Sequence, residues 1–423
     1  MVPETFWLET LGCPKNRVDS DKLVGTLVAD GYEVAAGPEC ADLVVVNTCA
    51  FIEAARQESI DTILELAESR RPGARLVVTG CLAERYGHEL ATALPEVDAV
   101  AGFGVPVTLE RRNRFDLLNL PRPAAGAPWA YVKVAEGCDR RCGFCAIPSF
   151  RGGQRSRPAE AVLAEIDALG DGVGEVVLVA QDLASWGLDR SGPARTSPAR
   201  GSNRPLVELV EAVSRRVPWV RLLYLYPSAL DDALIETIAA SPVPYFDLSL
   251  QHVSRPLVER MRRWGDGERF FERISRIRAT APAAALRSSF ILGYPGETEE
   301  DHDALLGFLA EARLDWAGFF TFSEEPGTYA AGLDAGVPPE LALERLRECA
   351  ELQDAITAER RAALVGSQRR VLVDAVGTAR SYGEAPEIDG VVHVPGLTDV
   401  GAFAPVVVTE AAGPDLWAEV VAP

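Results

Sequence analysis

The sequence predicts an α/β protein with three domains, and two observations predict it. Up to about residue 320, short apolar runs alternate with longer amphipathic ones, the rhythm of parallel strands covered by helices. From residue 366 the chain switches to short β runs separated by Gly and Pro. The expected architecture is an N-terminal parallel α/β sheet domain (1–118), a linker (119–128), an open partial (β/α)6 barrel with a trailing helix (129–363), and a small Greek-key β-barrel (364–423).

In the N-terminal domain, strands expected at 6–11, 41–46 and 74–79 lead to Cys13, Cys49 and Cys81, with amphipathic runs over 20–30 and 53–69 between them. Each cysteine follows its strand within a few residues, so the three thiols should gather at the carboxyl edge of the sheet, where open α/β folds place ligands. One such cysteine is as often a small packing residue. Three at the same topological position read as a metal-ligating set. Cys40 precedes its strand and Cys349 lies in a charged helical stretch, so neither reads as a ligand.

The Pro- and Ala-rich stretch 119–128 marks a boundary. Strands are then expected at 131–135, 175–180, 221–225, 245–250, 286–292 and 316–322, with a Ser-, Pro-, Gly- and Arg-rich loop over 189–204. The loop after the first of these strands carries Cys138, Cys142 and Cys145, spaced by three residues and then two. Three thiolates ligate three irons of a four-iron cluster and leave the fourth open for chemistry. A zinc site would want a fourth ligand nearby, and the next histidine downstream is the distant His252. Candidate cofactor contacts at the strand ends are Gln181, Ser228, Gln251, Arg287, Gly293 and Glu297, joined by Phe144 inside the cysteine loop. His252 reads as structural.

The trailing helix spans 339–363, and β runs follow at 370–374, 390–394, 403–408 and 416–421. Small barrels of this kind often bind oligonucleotides. From Arg361 onward, however, four basic residues face eight acidic ones, a net of −4, and the whole chain carries −20. That balance argues against wrapping an RNA backbone and favours a basic partner. The N-terminus lacks a basic region followed by a long apolar run, and no stretch is apolar enough to span a membrane. A cytoplasmic enzyme is expected, with six of its eight cysteines serving metals and no disulfide framework.

The cysteine loop, with Phe144 before its third cysteine, resembles the signature loop of radical S-adenosylmethionine enzymes. The order of domains resembles the methylthiotransferase family over essentially the whole chain. The stretches that carry the likeness include Thr10–Asp19, Asn47–Cys49, Thr79–Cys81, Ala146–Gly152, Ser156–Pro158, Leu250–His252, Gly293–Thr298 and Pro326–Thr328; the C-terminal domain resembles the family's TRAM module. Cys13–Arg17, Gly137–Cys142 and Ala385–Gly390 resemble the branch that modifies an aspartate of small-subunit ribosomal protein twelve, as opposed to the branch acting on a transfer-RNA adenosine. Gly143, Leu183 and Ser249 depart from the family's usual Thr, Thr and Pro.

The resemblance implies two [4Fe-4S] clusters, one on Cys138, Cys142 and Cys145 that cleaves S-adenosylmethionine to a 5′-deoxyadenosyl radical, and one on Cys13, Cys49 and Cys81 that carries the sulfur to be methylated and delivered. Beyond the clusters it implies no particular catalytic side chain. It also implies an electron donor such as flavodoxin or ferredoxin, and a substrate met free or on the small subunit. RNA binding is expected to be weak or absent. On the acidic C-terminal domain, Glu384, Glu387 and Asp389 are the expected contacts for the basic substrate. A non-catalytic iron–sulfur electron carrier is the reading from another class; it would need no S-adenosylmethionine pocket.

Overall fold

The computed structural model describes residues 4–108, 116–190 and 203–421. Most of the expected 189–204 loop lies outside them. The N-terminal sheet consists of β1 (Thr5–Thr10), β2 (Glu33–Val34), β3 (Leu43–Thr48), β4 (Arg75–Gly80) and β5 (Ala99–Ala101) in the order β2-β1-β3-β4-β5, with every pair parallel. All of β3 is buried, as a central parallel strand covered on both faces must be. Helices Pro14–Ala29, Glu53–Ser69 and Cys81–Ala93 connect the strands. Strands β2 and β5, of two and three residues, are too short for periodicity to reveal.

The linker is strapped down. Arg122 donates to the carbonyl of Tyr131 at 2.5 Å and pairs with Asp21, while a side chain at Gly25 would meet the Pro121 carbonyl at 2.9 Å. The next strands are β6 (Trp129–Lys133), β7 (Ala135–Glu136), β8 (Arg155–Ser156), β9 (Glu175–Val179), β10 (Trp219–Leu222), β11 (Tyr245–Gln251), β12 (Ala285–Leu292) and β13 (Trp316–Thr321). Two parallel sheets, β10-β9-β6 and β11-β12-β13, meet at a parallel bridge between Leu225 and Leu248 and form the six-stranded partial barrel. The short antiparallel pair β7–β8 ties the base of the cysteine loop.

The C-terminal domain is a closed barrel, β14 (Gln368–Ala375), β15 (Thr378–Arg380), β16 (Val392–His393), β17 (Phe403–Ala412) and β18 (Asp415–Val420), in the order β14-β15-β16-β18-β17. It has five strands where the sequence pattern showed four; β15, three residues after a Gly turn, carries too little apolar signal. This barrel closes the amino end of the larger one. Glu175, Trp219, Tyr245 and Trp316 each open a strand, and each meets the small barrel: Trp219 against Phe403 at 4.9 Å, Tyr245 Oη to Asp389 at 2.6 Å, and Trp316 Nε1 to the Gly383 carbonyl at 2.8 Å. Glu175, fully buried, accepts from Arg221 and from Arg380, both at 2.6 Å.

This seam corrects the expected substrate contacts. Glu384 is fully buried, paired with Arg361 and accepting from Ser381. Asp389 is buried against Tyr245, the Ala385 amide and Arg287, and burial pushes its carboxyl up to about 6. Both acids hold the small barrel in place, at the end of the large barrel away from its mouth. Only Glu387 is exposed. Removing one member of a buried ion pair strands the other charge. Glu175→Ala, which leaves the buried Arg221 without a carboxylate and Arg380 with Asp374 alone, should therefore cost about 3–5 kcal/mol, seen as a lower denaturant midpoint together with faster proteolytic release of the small barrel.

Candidate active site

The carboxyl edge of the N-terminal sheet faces the mouth of the large barrel. Arg56 and Arg85 from the N-terminal domain both donate to the buried Glu325 at 2.5 Å, and the Glu53 amide donates to Ser323 Oγ at 2.9 Å. The cysteines stand at this joint. Cys13 caps the helix Pro14–Ala29, Cys49 directly follows β3, and Cys81 begins the helix after β4. Gly12 has φ +90°, and a Cβ there would lie 2.9 Å from the Cys49 sulfur, so only glycine leaves that thiol its space. Asn16 Nδ2 ties two strand ends together through the carbonyls of Leu11 (3.0 Å) and Thr48 (2.8 Å).

Burial and the thiols of Cys13 and Cys81 push the Cys49 thiol up to about 12. Burial opposes ionisation of Cys13 as well, but Lys15, Arg151 and backbone amides hold it below the ordinary thiol value. Among the described residues, no three His, Cys, Asp or Glu side chains converge tightly enough for a single metal ion. Three mutually interacting thiols in a cation-lined, largely dehydrated recess suit a cluster whose ligands sit on separate corners.

In the second set, the Cys138 amide donates to Gly152 O (3.1 Å) and the Gly143 amide to Met261 O (2.7 Å), fixing the loop. Arg263 Nη1 lies 3.0 Å from the Cys142 sulfur. Burial, with the neighbouring thiols, pushes Cys145 up to about 12. A Cβ at Gly143 would meet Tyr294 Oη at 2.8 Å, so a Thr there would require that ring to shift.

Arg151 joins the two sets. It ends the short helix Ile147–Arg151 that follows the second set, yet its Nη2 reaches Asn16 Oδ1 (2.9 Å) and the Cys81 sulfur (3.0 Å) of the first. Its Nη1 donates to Glu136 (2.8 Å), which also takes Lys133 Nζ (2.6 Å) and Gln181 Nε2 (2.7 Å). The buried Asp19 pairs with Lys133 as well. Arg151 and Asn16 lay inside family-like stretches of the sequence, but nothing there revealed their partners.

The other expected contacts divide. Phe144 packs with Leu257, Met261, Tyr294 and Ala330. Gln181 stands at the second strand end, and its buried Oε1, like Oδ1 of the adjacent Asp182, has no protein donor. Gln251 ends β11 at φ +73°, and Ser228 is exposed on the turn Pro227–Ala229. Three contacts need correction. Glu297 is spent internally: it accepts from the Gly293 and Tyr294 amides and from Arg345 at 3.2 Å. Gly293 has φ +76° and a Cβ there would meet Ala342 at 2.5 Å, so packing alone already requires glycine. Arg287 lies inside the barrel, bonded to Asp247 at 2.9 Å and facing Asp389. His252 is buried, accepts from the Ser254 amide at 3.1 Å, and is pushed down to about 4 by burial, which suits a structural residue.

Comparison with known proteins agrees with this geometry. Residues 5–102 match an uncharacterized protein family, UPF0004; residues 132–309 match the Radical SAM superfamily, and residues 365–421 match the TRAM domain. The ribosomal protein uS12 methylthiotransferase RimO of Moorella thermoacetica is 43% identical over 408 residues, 92% of each chain. That of Anaeromyxobacter sp. (strain Fw109-5) is 42% identical over 450 residues, covering 100% of this chain and 94% of its own. The chain belongs to the uS12 methylthiotransferase family. It is a radical S-adenosylmethionine methylthiotransferase. The radical S-adenosylmethionine methyltransferase TsrM of Kitasatospora setae, at 16% identity, shares the fold with a TM-score of 0.50 over 83% of this chain and 89% of its own. Among the described residues no helix is long and apolar enough to cross a membrane.

Proposed function

We propose that this protein inserts a methylthio group at the β-carbon of an aspartate of ribosomal protein uS12. The observation that carries this reading is the pairing of two three-thiol sets across one joint in a chain of this family. Such a β-carbon offers no acidic proton, so no side-chain base can open it, and the chemistry must come from a cofactor. When bound, two [4Fe-4S] clusters and S-adenosylmethionine supply one-electron cleavage and the sulfur and methyl groups.

The residues bind and position. Cys138, Cys142 and Cys145 hold one cluster; Cys13, Cys49 and Cys81 hold the other. The unpartnered Gln181 Oε1 and Asp182 Oδ1, at the strand end beside Cys138, suit the cationic amino group of S-adenosylmethionine. Phe144, Ser228 and Gln251 complete that pocket, and the N-terminal domain covers the mouth and excludes water. The electron comes from an external donor of the flavodoxin or ferredoxin class. The chain's charge of −20 favours the basic uS12, free or on the small subunit in the cytoplasm, over an RNA backbone.

The test is to incubate reduced, reconstituted protein and S-adenosylmethionine with uS12 or with an adenosine-modified transfer RNA, then weigh both products. A methylthio mass gain on uS12 is expected, with binding that weakens as salt rises. Modification of the RNA alone overturns the reading.

A further inference from the structure

The chain has only three lysines, and all are buried. Lys22 pairs with Glu165 at 3.1 Å and Lys133 with Asp19 and Glu136. Lys15 has no such partner among the described residues. Its Nζ stands 3.3 Å from the centroid of the Tyr224 ring. A cation–π contact offsets some of the desolvation of a buried ammonium, but much less than a carboxylate would. The charged or ionisable groups facing it are Cys13, Cys81, Arg151 and Asp247. Asp247 is already committed to Arg287 Nη1 and to the Tyr224 amide, each at 2.9 Å. Lys15 is thus a buried amine with no carboxylate of its own, faced within the fold chiefly by the thiols of Cys13 and Cys81.

Its position says which partner. The side chain springs from the N-terminal domain just after Cys13, with Pro14 between them, and reaches into the large barrel, to Tyr224 just beyond the end of β10. A little further along the chain, the Tyr226 ring carries the guanidinium groups of Arg140 (3.9 Å) and Arg263 (4.4 Å), the second of which donates to Cys142. The ammonium therefore lies in the joint between the two domains that carry the thiol sets, the place open to a reacting side chain. An aspartate's carboxyl carbon is bonded to its β-carbon. A charge-assisted contact to that carboxylate would fix the reacting carbon to within one bond length of a known point.

We propose that the Lys15 ammonium receives the side-chain carboxylate of the target residue and so selects an acidic side chain. The proposal rests on the uS12 reading given above. A neutral nucleobase offers this cation no countercharge.

The test uses the reconstituted full-length chain and a fluorescent peptide spanning the target aspartate, in Asp and Asn forms. Anisotropy should show the wild type preferring the Asp peptide. K15Q, and K15M as a near-isosteric second variant, should bind the Asp peptide on the order of ten- to a hundredfold more weakly and the Asn peptide little changed. K15R should keep some of the preference. Full iron content in the variants is required; loss of the N-terminal cluster's iron would make Lys15 a cluster residue and overturn the proposal. A preference that survives in K15Q, or is absent from the wild type, overturns it too. If the wild type methylthiolates uS12 and only the Lys15 result fails, the functional reading stands.

Discussion

Alanine at Cys138, Cys142 and Cys145 together is expected to leave about four irons per chain and to abolish 5′-deoxyadenosine formation. The expectation follows from how each thiol set is held. The first set is carried on three strand ends of a sheet with its own core, built from residues such as Val44, Val46, Ile63 and Val78. The second is carried on one loop, tied at its base by β7 and β8. Truncating the loop thiols leaves Gly12, Asn16 and the carbonyls that shape the first recess where they are. Iron counting on the anaerobically reconstituted variant checks this, and complete loss of iron would show that one site cannot form without the other.

Cys49→Ala should have the opposite signature: no methylthio transfer, yet continued cleavage of S-adenosylmethionine. Its backbone is independently fixed, because Ser59 Oγ accepts from the Cys49 amide and donates to its carbonyl, both at 3.1 Å. Losing one sulfur atom in a recess that already crowds Gly12 changes little packing, so the effect is chemical and not a folding defect. Chromatography of 5′-deoxyadenosine alongside mass spectrometry of uS12 reads both halves. If the nucleoside disappears while the protein stays folded, the two clusters do not divide the work as proposed.

What could be read from sequence alone was whatever depends on local pattern. Strand–helix alternation gave the barrel strands to within three residues at each end, because buried parallel strands are continuous apolar runs such as Val176–Val179. Cys13, Cys49 and Cys81 stood out because each follows such a run, and Cys138, Cys142 and Cys145 because of their spacing in one loop. Long-range pairing was not legible. Glu297, Glu384 and Asp389 look like surface acids in sequence, yet each is buried by a partner 48 (Arg345), 23 (Arg361) or 144 (Tyr245) residues away. The same holds for Arg151, whose reach to Cys81 crosses 70 residues. Charged side chains with distant partners carry no periodic signal, and the site's electrostatics are built from them.

Arg151 also acts as a ruler. It lies only six residues after Cys145, and the last five of them, Ile147–Arg151, are coiled into a helix. Even fully extended, six residues span no more than about 20 Å, and helix shortens that to roughly half. With Cys145 at one end of this segment and the Arg151 guanidinium 3.0 Å from the Cys81 sulfur at the other, the spacing of the two thiol sets is set by a few covalent bonds and one hydrogen bond. Rocking of the N-terminal domain against the barrel could open the mouth to a substrate. To carry the two thiol sets apart it would first have to break the Arg151 hydrogen bond to Cys81.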